Sequence, residues 1–197
     1  GKDGSERDGV DPDARGKGFG GGTGERVEAT LGHGVGEVLA VGALGAPVGD
    51  GACVTEVQRH FAPLFDLGAA FPLDGSQFDR LWSDGDTFAI GGIEARVLAT
   101  PGHTSDSLTY VIGDAAFVGD TLFAPDVGTA RCDFPGGDAV LLWRSIGLLL
   151  DLPPATRLFL AHDYPPPGRE PQSESSIAAQ RERNAHLAGK DEAAYVA

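Results

Sequence analysis

Three apolar stretches of this chain each break into a side chain that can ligate metal: Val97-Leu98-Ala99-Thr100-Pro101-Gly102-His103, Phe117-Val118-Gly119-Asp120 and Leu158-Phe159-Leu160-Ala161-His162. A short apolar run bounded by Gly or Pro reads as a strand with buried residues. A strand that ends in His or Asp places an imidazole or a carboxylate at the rim of its sheet. Three such strands sharing one rim would fold into a sheet whose edge holds an ion. Taken singly, each signal is weak: a strand-end His is more often a hydrogen-bonded surface residue, and the Asp of Gly-Asp-Thr often caps a turn. The threefold repetition makes a metal site the better reading.

The rest of the chain predicts an α/β (α+β) domain. Residues 1–26 are rich in Gly, carry charges of both signs and hold one aromatic, Phe19, so they read as a disordered tail ahead of a domain at 27–197. Val27–Leu31 reads as a strand, and Val38–Leu44 is apolar without a clear period. Val54, Val57, Phe61 and Leu64 recur at helical spacing over Val54–Phe65. Phe88–Ile90 and Ile93–Leu98 flank Gly91-Gly92, and Leu108–Ile112 and Ala115–Val118 flank Gly113-Asp114; both pairs predict hairpins. Asp138 is placed to cap a helix that runs to about Leu150 and stops at Pro153-Pro154. A strand at Thr156–Ala161 and a final helix from Ser173 to about Leu187 complete the reading.

Charge narrows the partners. Lys and Arg total 15 against 29 Asp and Glu, a formal net charge of -14, which argues against nucleic acid and against anionic membranes. No run approaches the ~18 apolar residues of a membrane span. Cys53 and Cys132 are too few for a disulfide framework and predict two free thiols in a reducing cytoplasm. Neutral imidazoles with a carboxylate suit a divalent or ferrous ion, and catalysis needs open positions beside them. Thr121, next to Asp120, is a candidate hydrogen-bonding neighbour of that carboxylate.

Pro101-Gly102-His103-Thr104, Gly119-Asp120-Thr121-Leu122-Phe123 and His162-Asp163-Tyr164 resemble the later metal motifs of the metallo-β-lactamase superfamily. Gly128-Thr129-Ala130-Arg131-Cys132-Asp133-Phe134-Pro135-Gly136-Gly137 is similar, more narrowly, to the bacterial persulfide dioxygenases, a sister group of glyoxalase II. Thr55-Glu56-Val57-Gln58, Asp74-Gly75-Ser76-Gln77-Phe78-Asp79-Arg80-Leu81 and Gln180-Arg181-Glu182-Arg183-Asn184 extend the resemblance over roughly Leu44 to Leu187. It implies an αββα sandwich with the metal at one edge. The ligands it implies are His103, Asp120 and the first His of an N-terminal His-x-His-x-Asp-His motif.

That motif is absent. Counting back without gaps puts His33 at its last His and Glu28 at its first. A deletion of about five residues instead makes Val27–Leu31 the preceding strand and His33 the first His, with Glu37 replacing the Asp and Val35 and Val38 replacing the other two His. The second alignment is preferred because a strand leads directly into His33. The N-terminal strands of the fold are then missing or diverged. His33, His103 and Asp120 would form a 2-His-1-carboxylate set suited to one Fe(II), with zinc the alternative. His162 would belong to the second-metal side.

The function so implied is an iron-dependent oxidation of glutathione persulfide to sulfite and glutathione. The alternatives are a glyoxalase II-like thioester metallohydrolase acting on a glutathione thioester, and a metal-deficient, non-catalytic homologue. A homodimer is the expected assembly. Asp120, Arg131 and Tyr164 are the candidate catalytic residues. For Arg131 the alternative is an ion pair with Asp133 or Asp163; for Tyr164 it is packing at the rim. Cys132 is expected to be structural. Arg183 and Asn184 could reach the glutathione carboxylates, and a solvated helix face is the preferred reading.

Overall fold

The computed structural model describes residues 47–197; the expected tail, the strand at Val27–Leu31, the Val38–Leu44 stretch and His33 lie outside the described residues. Two sheets are present among them. A parallel pair joins β1 (Gly49–Gly51) to β2 (Arg80–Trp82), with helix α1 (Val54–Phe61) between. A six-stranded sheet runs in the order β3 (Thr87–Ile90), β4 (Ile93–Ala99), β5 (Leu108–Ile112), β6 (Ala115–Phe117), β7 (Arg157–Phe159) and β8 (Glu174–Ser176). Helices α2 (Ala139–Leu150), α3 (Ile177–Arg183) and α4 (Glu192–Val196) complete the chain.

The direction of the strands follows from their connections. Tight turns at Gly91-Gly92 and Gly113-Asp114 force antiparallel pairing of β3 with β4 and of β5 with β6, and β4 pairs antiparallel with β5. Two reversals return the chain to its starting sense, so β6 runs the same way as β4. β7 is parallel to β6, with α2 as the crossover. The C-terminal ends of β4, β6 and β7 therefore emerge at one edge of the sheet.

Both faces of the sheet are covered. Leu142, Ile146 and Leu149 recur at helical spacing on the buried side of α2 and pack with Val118, Leu122, Leu158 and Ile177. Val97, Leu108 and Tyr110 pack with Trp82 of the small sheet in a second cluster, which Phe88 borders. Along β4, Ala95 and Val97 are buried while Glu94 and Arg96 are exposed, the period of two expected of a strand. Among the described residues no helix is long and apolar enough to cross a membrane.

Three expected elements are altered, and β1, β2 and α4 answer to no expectation. The helix expected over Val54–Phe65 ends at Phe61, because Pro63 has no N–H to continue the ladder. Thr156–Ala161 is shortened to Arg157–Phe159. The helix expected from Ser173 starts only at Ile177: Glu174–Ser176 pairs with β7 as an edge strand, and the Ser176 hydroxyl then caps α3 through the Ala179 N–H at 3.2 Å.

Candidate metal centre

The three strand-end side chains meet at this edge. His103 follows β4 through Thr100-Pro101-Gly102, Asp120 sits in a single 3₁₀ turn (Gly119–Thr121) after β6, and His162 follows β7. His103 Nε2 lies 3.7 Å from Asp120 Oδ2, and His162 Nε2 lies 3.6 Å from Asp120 Oδ1. Both distances exceed an N–H···O hydrogen bond. Two donors each about 2.1 Å from a shared ion stand roughly 3–4 Å apart, so the spacing suits a cation between an imidazole and a carboxylate. The Asp120 side chain is only 7% exposed.

His103 is the more firmly held of the two imidazoles. The Arg131 carbonyl accepts a hydrogen bond from its Nδ1 at 2.6 Å, which leaves the Nε2 lone pair facing Asp120. Phe134 packs edge-on against the ring at 5.1 Å. The loop that carries His103 is itself clamped to α2. The Gly102 carbonyl accepts from the Asp138 N–H at 2.8 Å, and the Pro101 carbonyl from the Ser145 hydroxyl at 2.7 Å. Gly102 has φ of 140°, and a Cβ there would lie 2.4 Å from the Leu142 backbone, so only glycine fits. His162, by contrast, leaves 46% of its side chain exposed.

A cavity of about 380 Å³ opens over this cluster, walled by Phe123, Phe134 and Tyr164 and bordered by Arg131. The Arg131 guanidinium pairs in two places with Asp133, at 2.5 and 2.6 Å, and lies 4.6 Å from the Phe134 ring centre. The structure therefore shows the ion pair with Asp133 in place, while the backbone of the same residue orients His103. Tyr164 packs edge-on against Phe123 at 5.5 Å with its side chain largely exposed. Cys53 and Cys132 are both free thiols, and burial pushes both above their ordinary range. Thr121 is fully buried, and its hydroxyl makes no hydrogen bond to Asp120.

Two groups escaped the sequence reading. Asn184 is fully buried rather than solvated; its amide donates to the Gly128 carbonyl at 3.1 Å and to Gln180 Oε1 at 2.7 Å. Gln180 in turn donates to the Phe123 carbonyl at 2.8 Å. Gln180 of α3 and Asn184, which follows its last residue, thus grip the loop after Asp120 from below. Arg183 remains exposed beside Glu182. The other missed group is Arg169, which binds Asp163 and Asp126 together. Its guanidinium, hydrogen-bonded to Asp163, holds that carboxyl down at about 2.

The donor set fits a metal ion in its chemistry: a neutral imidazole with a fixed tautomer, a second imidazole and a buried carboxylate. Among the described residues, however, no three ligating side chains close around one point, because each imidazole addresses a different oxygen of Asp120.

Residues 46–162 match the metallo-beta-lactamase superfamily, 59% of the chain. The chain belongs to that superfamily. A beta-lactamase hydrolase-like protein of Xylella fastidiosa is 54% identical over 153 residues, covering 78% of this chain and 35% of its own. The chain spans about a third to a half of the length of the curated relatives it matches. Among solved structures, ETHE1 from Myxococcus xanthus is similar with a TM-score of 0.55 and 37% identity, covering 60% of this chain and 50% of that one. A protein solved in a di-iron-bound form, TTHA1623, is similar with a TM-score of 0.56 and 28% identity, covering 78% of this chain and 71% of that one. The mixed α/β fold and the family expected from the motifs are both shown.

Proposed function

We propose that this member of a metal-dependent superfamily is an iron-dependent persulfide dioxygenase, with Fe(II) held by His103, Asp120 and His33. The observation that carries the reading is the Nε2 of His103, oriented by the Arg131 carbonyl, facing a buried carboxylate beneath an aromatic-walled cavity. The likeness to ETHE1 and to a protein that holds iron supports it. Glutathione persulfide, O₂ and water would give glutathione, sulfite and protons, with the terminal sulfur oxidised and O₂ reduced.

Fe(II), if bound there, would supply the redox chemistry that joins the sulfane sulfur to O₂. Asp120 contributes the anionic charge of the site, and its burial keeps that charge poorly screened. Phe123 and Phe134 offer the reacting sulfur an apolar wall, with Tyr164 at the exposed rim. Arg131 stands at the mouth, where a glutathione carboxylate can exchange with Asp133 on the planar guanidinium without burying either charge.

The test is metal analysis after anaerobic reconstitution, with O₂ uptake on glutathione persulfide, for wild type and His33→Ala. The expected result is one iron and O₂ consumption in the wild type, with both lost in the variant. Unchanged iron content and activity in His33→Ala would overturn the choice of third ligand.

A second reading is favoured by His162 facing Oδ1 while His103 faces Oδ2, which gives one carboxylate two half-sites. It is a two-ion hydrolase of glutathione thioesters, supported by the hydrolase-like relative. Two zinc equivalents and thioester hydrolysis without O₂ uptake would replace the first reading with this one. Failure to take up iron or zinc would identify a metal-deficient homologue.

A further inference from the structure

We propose that Arg169 is a positioning residue of the metal centre, a strap that fixes the His162 loop at its distance from Asp120. His162 is half exposed, with its ring 6.0 Å from that of Tyr164, and the backbone of its loop shares in setting its place. The next residue, Asp163, has a side chain only 7% exposed and accepts from Arg169 Nη1 and Nη2 at 2.7 and 2.6 Å, and from the Gln172 N–H at 2.6 Å. Arg169 Nε reaches in the other direction, donating to Asp126 Oδ2 at 2.6 Å. Asp126 lies on the loop that leaves Asp120, and α3 holds that same loop through the Phe123 and Gly128 carbonyls. One rigid guanidinium therefore ties the segment bearing His162 to the segment bearing Asp120. A lysine could carry the charge but has no planar fork to satisfy both carboxylates at these angles.

The inference rests on the metal-centre reading and not on the choice between dioxygenase and hydrolase. Its test is Co(II) titration of the full chain, followed by visible absorption and by chelator competition, with thermal unfolding run in parallel. Arg169→Lys should fold with a lowered midpoint, because Asp163 loses part of its pairing, and bind Co(II) at least about tenfold more weakly, the usual cost of losing an outer support of a metal ligand. Its Co(II) spectrum should also change, since a displaced imidazole alters the ligand field. Asp126→Asn, which weakens the Nε arm alone, should give a smaller change of the same kind. Arg157→Met, which breaks an exposed ion pair with Asp114 far from the centre, should leave Co(II) binding as in wild type.

Wild-type affinity and spectrum in a folded Arg169→Lys would overturn the strap. If that variant does not fold, Asp126→Asn decides, and an unchanged Co(II) response from it has the same force. Absence of Co(II) binding by the wild type would instead overturn the metal-centre reading, and the strap with it.

Discussion

At the scale of single residues, placement near the centre depends as much on what lacks a side chain as on what carries one. Gly102 precedes His103 with φ of 140°, and its Cα faces the Leu142 backbone at a distance that leaves no room for a Cβ. Gly102→Ala must strain the backbone and push the loop off α2 together. It should lower the unfolding free energy by about 2 kcal/mol or more in a urea titration, and it should weaken metal binding because Arg131 O and His103 Nδ1 separate. A stability change below about 0.5 kcal/mol would show that the loop is not clamped as described. His103, Asp120 and His162 were legible in the sequence because apolar runs delivered them to a common rim. Asn184 and Arg169 were not. Polar residues at helical spacing look the same in sequence whether they face water or grip buried carbonyls. Arg169 finds Asp126 across 43 residues, a separation no local pattern encodes.

At the scale of elements, local signals were reliable wherever they were self-contained. Both Gly-centred hairpins formed, and the Asp138 carboxylate caps α2 through the Val140 and Leu141 N–H groups at 2.8 and 2.9 Å. Reading failed where pairing with a distant neighbour decided the outcome. Glu174–Ser176 leaves its helix because β7 offers an open edge. β1 is Gly-Asp-Gly, which has no strand pattern; it pairs with β2 because glycine permits close approach to Trp82 and to the Asp106 carbonyl.

The turn between β5 and β6 supplies a test of electrostatics at this scale. Asp114 pairs with Arg157 of β7 at 3.0 Å, and this bond holds the carboxyl below its ordinary range. A carboxyl depressed by folding contributes stability above its unfolded value of about 4, and that contribution disappears as pH falls through the lower folded value. Both side chains are largely exposed, so salt screens the pair. Thermal unfolding of Asp114→Asn should therefore show a small deficit against wild type at pH 7 and low salt. The deficit should shrink as pH falls below about 4, and shrink in about 1 M salt. A deficit that does not change as pH falls below about 4 would assign it to the turn backbone instead.

At the scale of the whole molecule, what matters is that β4, β6 and β7 point the same way. Side chains far apart along the chain thereby arrive together only once the sheet has formed. An ion bound among them would link strands that meet only in the folded sheet, so its binding free energy adds to folding free energy. At a free metal concentration about a hundredfold above its dissociation constant, it should add about 2.7 kcal/mol to stability. Scanning calorimetry with and without a chelator should show the midpoint fall on metal removal, in the Asp120→Ala variant by much less. For this rim, then, metal supply would set how long the protein survives heat as well as what it can react with.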